Sequence, residues 1–314
     1  MEVRGRAVHF GVQLQAQATS WVDYAAAVKA VEELGYGSVW TFDHLLPFNG
    51  TDDRPAFETL TTLSAMALLT SRARIGVLVN GVLYRDPAVL AKASAQVDEM
   101  SSGRLDFSLG AAWAEREFRA YGMPFPPIAE RYARLDEALQ IIKSLWGQPR
   151  TTFKGRYYQL DDAPCEPKPV QSPRPPITIG GSGSGSLRLA ARHADRLNVQ
   201  GPAAKCAQTF EQLAEICGQV GRDFDEIELS LHPPVAIAPT RAEAEAMARR
   251  ATAANSVDFD AVRSNWLLGE PGDVAAGIRD YLDVGINHFV FAVGHPFDPA
   301  PLRLLQEKVF AALG

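Results

Sequence analysis

Short runs of nearly unbroken apolar residues alternate along the chain with longer stretches in which apolar positions recur every three or four residues. The first kind suits strands covered on both faces, the second amphipathic helices. Residues 8–14 open the series as a strand, with polar Gln13 near its end. Ser20 is placed to cap a helix in which Val22, Ala25, Ala26, Val28, Ala30, Val31 and Leu34 keep helical spacing, and Gly35 ends it. Residues 38–42, β-branched and aromatic, form a second strand that breaks into Asp43-His44. A loop with Pro47 and Gly50 leads to a helix over 57–71, and a third strand covers 74–80. Pro87 suits the first turn of a helix reaching Met100, and a fourth strand spans 103–110.

After a helix over 133–146 the rhythm breaks. Residues 151–158 read as a small hairpin with a central Lys-Gly turn, and the six prolines from Pro164 to Pro176 exclude helix or central strand. Beyond them the alternation resumes. Residues 148–176 therefore read as an insertion after the fourth β/α unit, and residues 1–314 as one domain. Strands follow at 177–179, 195–199, 226–237 and 286–293, with helices at 187–193, 203–220, from 241 onward, 271–284 and 300–313. The stretch 255–268 reads as irregular. Eight strands with helices between them are the pattern of a (β/α)8 TIM barrel.

Composition narrows the function. Hydrophobic residues make up 46% and charged residues 22%, as in ordinary globular proteins. A net charge of −6 without a basic stripe argues against nucleic acid as a partner. No apolar run has the length of a membrane span, and the first residues lack the apolar core of a secretory signal, so a cytoplasmic protein is expected. Cys165, Cys206 and Cys217 have no CxxC spacing and read as free thiols in a reducing compartment.

In parallel α/β folds active sites gather at the carboxyl ends of strands. Asp43 and His44 stand at such an end, and His44 is the obvious acid–base candidate. The plainer reading is an aspartate capping a turn with a histidine beside it. Gly180-Gly181-Ser182-Gly183 follows a strand and opens a helix, where bare N–H groups and hydroxyls suit a phosphate; a flexible linker has the same composition. Gln13, Asn198 and Gln200 are candidates for contact with substrate: Gln13 stands near a strand end where it can look into a pocket, and Asn198 and Gln200 end the sixth strand, where solvated loop residues are the equal alternative. His9, His193, His232, His288 and His295 show no metal-ligand spacing and read as structural or surface groups, with no metal site.

Several stretches taken together resemble the bacterial luciferase-like oxidoreductase superfamily. They are Val39-Trp40-Thr41-Phe42-Asp43-His44, Leu83-Tyr84-Arg85-Asp86-Pro87, Ser102-Gly103-Arg104-Leu105, Leu109-Gly110-Ala111-Ala112-Trp113, Phe153-Lys154-Gly155-Arg156-Tyr157-Tyr158, Pro175-Pro176-Ile177-Thr178-Ile179-Gly180-Gly181 and Ala190-Ala191-Arg192-His193-Ala194-Asp195. Within the superfamily the chain is most similar to the branch using the deazaflavin coenzyme F420. That resemblance implies hydride transfer between the coenzyme and a small organic substrate, with the protein supplying orientation, an acid or base, and a dry pocket. It places Asp43 against the reactive ring, His44 in proton transfer, and Gly180, Gly181 and Ser182 at the phosphate. It also places a non-proline cis peptide behind the ring at Val77-Leu78, with Asn80 offering its amide to the ring.

Trp113 is a departure: sugar-phosphate dehydrogenases of the family carry a proton-donating glutamate there, and the nearest acids here are Glu115 and Glu117. This puts sugar-phosphate oxidation in doubt and makes Trp113 a candidate contact for coenzyme or substrate, or a core aromatic. The competing readings are an FMN-dependent two-component monooxygenase and a non-catalytic flavin-binding barrel. Relatives are often dimers, and the helix over 57–69 is apolar enough to lie between subunits; a separate reductase supplying reduced cofactor is a further candidate partner.

Overall fold

The computed structural model describes residues 1–47, 53–254 and 257–313. Gly50 and Asn255, which figure in the expected loops, lie outside them. Eight parallel strands form the centre: β1 (His9–Leu14), β2 (Ser38–Thr41), β3 (Arg74–Val77), β4 (Leu105–Gly110), β5 (Ile177–Gly180), β6 (Arg196–Val199), β7 (Glu228–Leu231) and β8 (His288–Val293). Each pairs with its neighbours in sequence, and two pairings close the ring: β8 with β1 (Val290 opposite Gly11) and β4 with β5 (Ser108 opposite Thr178). A closed ring leaves no edge strand exposed. The expected TIM barrel is the observed fold.

The helices carry their apolar stripes inward: α1 (Trp21–Glu33), α2 (Thr59–Leu69), α3 (Pro87–Met100), α4 (Glu115–Ala120), α5 (Ile128–Gly147), α6 (Ser184–His193), α7 (Ala203–Val220), α8 (Arg241–Ala254) and α9 (Pro271–Asp283). Ser20 caps α1 by accepting the Asp23 N–H, as its sequence position suggests. Between α5 and β5, strands Arg150–Lys154 and Gln159–Pro164 form an antiparallel hairpin. Its turn lies later than the Lys-Gly pair, where half-buried Glu137 of α5 accepts the N–H groups of Arg156, Tyr157 and Tyr158 with its carboxylate.

The seventh strand, expected over 226–237, is broken. Pro233 and Pro234 have no N–H to give to a ladder, so β7 stops at Leu231. The remainder, Val235–Ile237, leaves the barrel and pairs in parallel with Leu267–Gly269, within the stretch expected to be irregular. Helix α6 begins three residues earlier than expected, at Ser184, which shortens the Gly/Ser loop. The three cysteines are free and buried. No described helix is long and apolar enough to cross a membrane.

Candidate active site

Beyond Thr41 the chain passes through buried Phe42 and presents Asp43 at the carboxyl end of β2. Asp43 is buried with both oxygens engaged. Oδ2 accepts the Gly81 N–H at 2.9 Å and Arg85 Nη1 at 2.8 Å; Oδ1 accepts the Thr59 hydroxyl at 2.7 Å. Arg85 is shared with Glu58 at 2.5 Å, and Glu58 also caps α2 through the N–H groups of Leu60 and Thr61. Burial works against the Glu58 charge, but these donors outweigh it and hold the carboxyl down at about 2.

His44 places Nδ1 2.6 Å from Oε1 of Glu117 on α4. The other Glu117 oxygen accepts the Leu45 N–H at 2.9 Å and the Tyr84 hydroxyl at 2.7 Å. Burial alone would raise the Glu117 pKa, yet the hydrogen bond and charge of His44 with the other two donors keep it below the ordinary carboxylate range. The Tyr84 phenol is pushed up, first by burial and then by Glu117. Edge-to-face contacts with Phe42 and Trp113, ring centroids 5.3 Å away in each case, sandwich the imidazole.

Both groups face a cleft of about 650 Å³ that also takes in Leu78, Val79, Trp113, the loop 180–183, Asn198 and Gln200. The non-proline cis bond is Leu78-Val79, one residue beyond the expected Val77-Leu78: Val77 still pairs as part of β3, and the ladder ends after it. Just past β5, Gly181 has φ +114°, a conformation that side chains with a Cβ rarely adopt, and its N–H is held by the Asn198 carbonyl at 3.0 Å. A Cβ on Gly180 would meet Val79 Cγ1 at 2.9 Å, so the loop packs directly on the cis segment. Helix α6 starts there with no side-chain cap, leaving its first N–H groups for a ligand.

Three expected residues lie elsewhere. Gln13 is buried behind the wall, its amide donating to the Leu78 carbonyl at 2.9 Å. Asn80 spends its amide N–H on the Ser108 carbonyl, and Val77 is buried in β3; neither lines the cleft. Trp113, one of whose readings was a core aromatic, is 67% exposed at the cleft mouth. Sequence reasoning did not single out Arg131 or Lys205 and read His232 as a structural or surface group, yet all three line the cleft; isolated polar residues far apart in sequence carry no spacing signal.

Comparison with known proteins places this geometry in a lineage. A family model for luciferase-like monooxygenases matches residues 7–288. The chain belongs to this family. It is 31% identical over 317 residues to an F420-dependent glucose-6-phosphate dehydrogenase of Kineococcus radiotolerans, covering 93% of each. Another such dehydrogenase, from Amycolatopsis mediterranei, is 32% identical, covering 86% of this chain and 87% of its own. Among solved structures, an F420-dependent secondary alcohol dehydrogenase in complex with an F420-acetone adduct superimposes with a TM-score of 0.86 at 21% identity, covering 98% of this chain and 99% of that one.

This luciferase-like barrel also carries polar atoms that fit a phosphate-bearing coenzyme. Two donors lining the cleft have no partner among the described residues. One is Arg131 Nε; its Nη1 is spent on the Ala112 carbonyl at 2.5 Å. The other is His232 Nε2. Burial lowers the His232 pKa to about 4, so the ring is neutral at physiological pH. Gln200 Nε2 donates to His232 Nδ1 at 2.9 Å, which leaves the ring hydrogen on Nε2. Buried donors of this kind call for an acceptor. No cluster of three or more His, Cys, Asp or Glu side chains suited to a metal occurs among the described residues.

Proposed function

We propose that the protein is an F420-dependent oxidoreductase that moves a hydride between the deazaflavin coenzyme and a small organic substrate. The observation that carries this is one cleft holding an uncapped helix N-terminus on one wall and the Asp43-His44 pair on the other. The named activity of the family members about 30% identical to this chain supports the choice of coenzyme. When bound, F420 supplies the hydride carrier.

The chain's own residues do the rest. Gly181, Ser182 and the first N–H groups of α6 would hold the phosphate, and Leu78 and Val79 would back the ring. Asp43, fixed by Arg85, Gly81 and Thr59, sets the position of the strand end. His44 moves the proton that accompanies the hydride, and Glu117 holds it in place. Trp113 gives this wall an indole where the resemblance expects a glutamate, so His44 serves without a second acid at that position. A homodimer belongs to the same reading: Val22 and Leu68, 75% and 73% exposed on α1 and α2, support an apolar face covered by a second copy.

Titration of the purified protein with F420 and with FMN, followed by ligand fluorescence, tests the reading. Micromolar or tighter F420 binding with weak FMN binding is expected. Preference for FMN with oxygen uptake would replace it with the two-component monooxygenase reading.

A further inference from the structure

The turn that follows β4 holds its backbone in an uncommon conformation. Ala112 has φ +59°, in the left-handed region, which a residue with a Cβ seldom enters and keeps only where its surroundings enforce it. Arg131 of α5 supplies that enforcement. Its Nη1 donates to the Ala112 carbonyl at 2.5 Å, while its guanidinium lies over the Phe125 ring at 4.2 Å. The next residue, Trp113, is turned into the mouth of the cleft with 67% of its surface open, rather than packed beneath the loop. Ile128, one turn before Arg131 on the same helix, lines the same cleft and is 47% open. Exposed apolar side chains scattered singly are ordinary. An open indole and an open isoleucine, tied to one arginine at the rim of a concave site, form a surface suited to a ligand.

The indole stands at the His44 end of the cleft. Its ring meets the imidazole edge to face with centroids 5.3 Å apart, so a molecule lying on the open part of the indole also reaches His44. Polar groups at this end are committed elsewhere. Asp43 is engaged by Arg85, Gly81 and Thr59, and Glu117 by His44, Leu45 and the Tyr84 hydroxyl. Arg131 is charged, but its Nη1 is spent on Ala112 and its plane on Phe125. The Nε left over is one of the two donors that fit the coenzyme phosphate. Gln200, Lys205 and His232 follow β6 and β7, across the ring from β2 and β3. What the His44 end offers a second molecule is therefore an apolar surface and one imidazole.

We propose that Trp113 is the platform for the substrate, and that the substrate is an uncharged alcohol or carbonyl compound with a flat apolar body. The body lies on the indole beside Ile128, and the oxygen is held at the His44 imidazole. The proposal rests on the oxidoreductase reading for the role of the bound molecule, but its test needs no turnover. The probes are 1-phenylethanol, 2-propanol, which lacks the ring, and mandelate, which keeps ring and hydroxyl and adds a carboxylate. Each is titrated calorimetrically into the protein alone and into the protein saturated with reduced F420, which cannot accept a hydride and leaves the alcohol intact. 1-Phenylethanol is expected to bind at least about tenfold more tightly than either comparator, since its ring buries apolar area that a methyl group does not. Trp113→Ala, at an exposed position, should weaken 1-phenylethanol to about the level of 2-propanol and leave F420 affinity within about twofold. Trp113→Phe, which keeps a ring, should recover most of the loss. In nitrogen-15 spectra the His44 Nε2 resonance should move as 1-phenylethanol saturates the native protein. Equal affinity in the native protein and Trp113→Ala, tighter binding of mandelate, a matching loss of F420 affinity, no 1-phenylethanol binding in either form, or an unmoved His44 resonance would overturn the proposal. 1-Phenylethanol bound as expected by a protein that fails to take F420 would leave this wall assigned and sink the coenzyme reading instead.

Discussion

Glu117 decides what His44 can do. A carboxylate held below its ordinary pKa by three donors is an anion at neutral pH and can only accept. The hydrogen between it and the imidazole therefore sits on Nδ1, which makes Nε2 the ring atom able to accept a proton. In the proposed function Glu117 is a positioning residue: it would act on the reaction only through His44. Glu117→Gln keeps the size of the side chain but removes the charge and the obligation to accept. Turnover is expected to fall about ten- to a hundredfold, a part of what a positioned acid–base group supplies, with F420 affinity unchanged. Nitrogen-15 spectra of the ring check the cause directly. The native protein should show a single Nδ1–H tautomer and the variant a mixture; a single tautomer in both would remove Glu117 from this role.

Helix α2 links stability to the same wall, because its cap is Glu58 and Glu58 also grips the arginine that grips Asp43. The Glu58 pKa falls from 4.5 to about 2 on folding. A group whose folded pKa is depressed contributes stability that is present above its unfolded pKa and is lost as pH falls towards the folded one. The melting temperature of Glu58→Gln should therefore lie below that of the native protein at neutral pH, and the gap should close between about pH 4.5 and pH 2. A gap independent of pH would show that the cap acts without its charge. Elements of this kind were largely legible in the sequence. Ser20 and Pro87 announced their helices, and the apolar runs announced the strands, because caps and burial are local properties. What was not legible was long-range. Glu117 lies 73 residues from His44 on a six-residue helix, and nothing in its spacing marks it. Gln13 was misplaced for a related reason: a polar residue near a strand end faces either the mouth or the wall, and only the ring closure decides.

The barrel divides its labour between two ends, and its lower end can be tested without touching the site. At the amino-terminal ends of the strands Arg196 of β6 pairs with Glu228 of β7 and approaches Asp106 of β4 at 3.4 Å, while Arg74 of β3 reaches the same Asp106 at 2.8 Å. Asp106 is 1% exposed and Arg196 is nearly as buried. These charges tie together four strands, β3, β4, β6 and β7. Removing Arg196 leaves Glu228 without its cation and Asp106 with Arg74 alone, at a cost of about 3 kcal/mol, the low end for a broken buried pair. Arg196→Met should lower the unfolding free energy in urea by that amount, since Asp106 remains buried and Glu228 half-buried. The mouth is at the far end of every strand, so the fraction that stays folded should bind F420 with native affinity. A loss of affinity matching the loss of stability would mean that the two ends are not independent and that the ionic cluster also sets the geometry of the cleft.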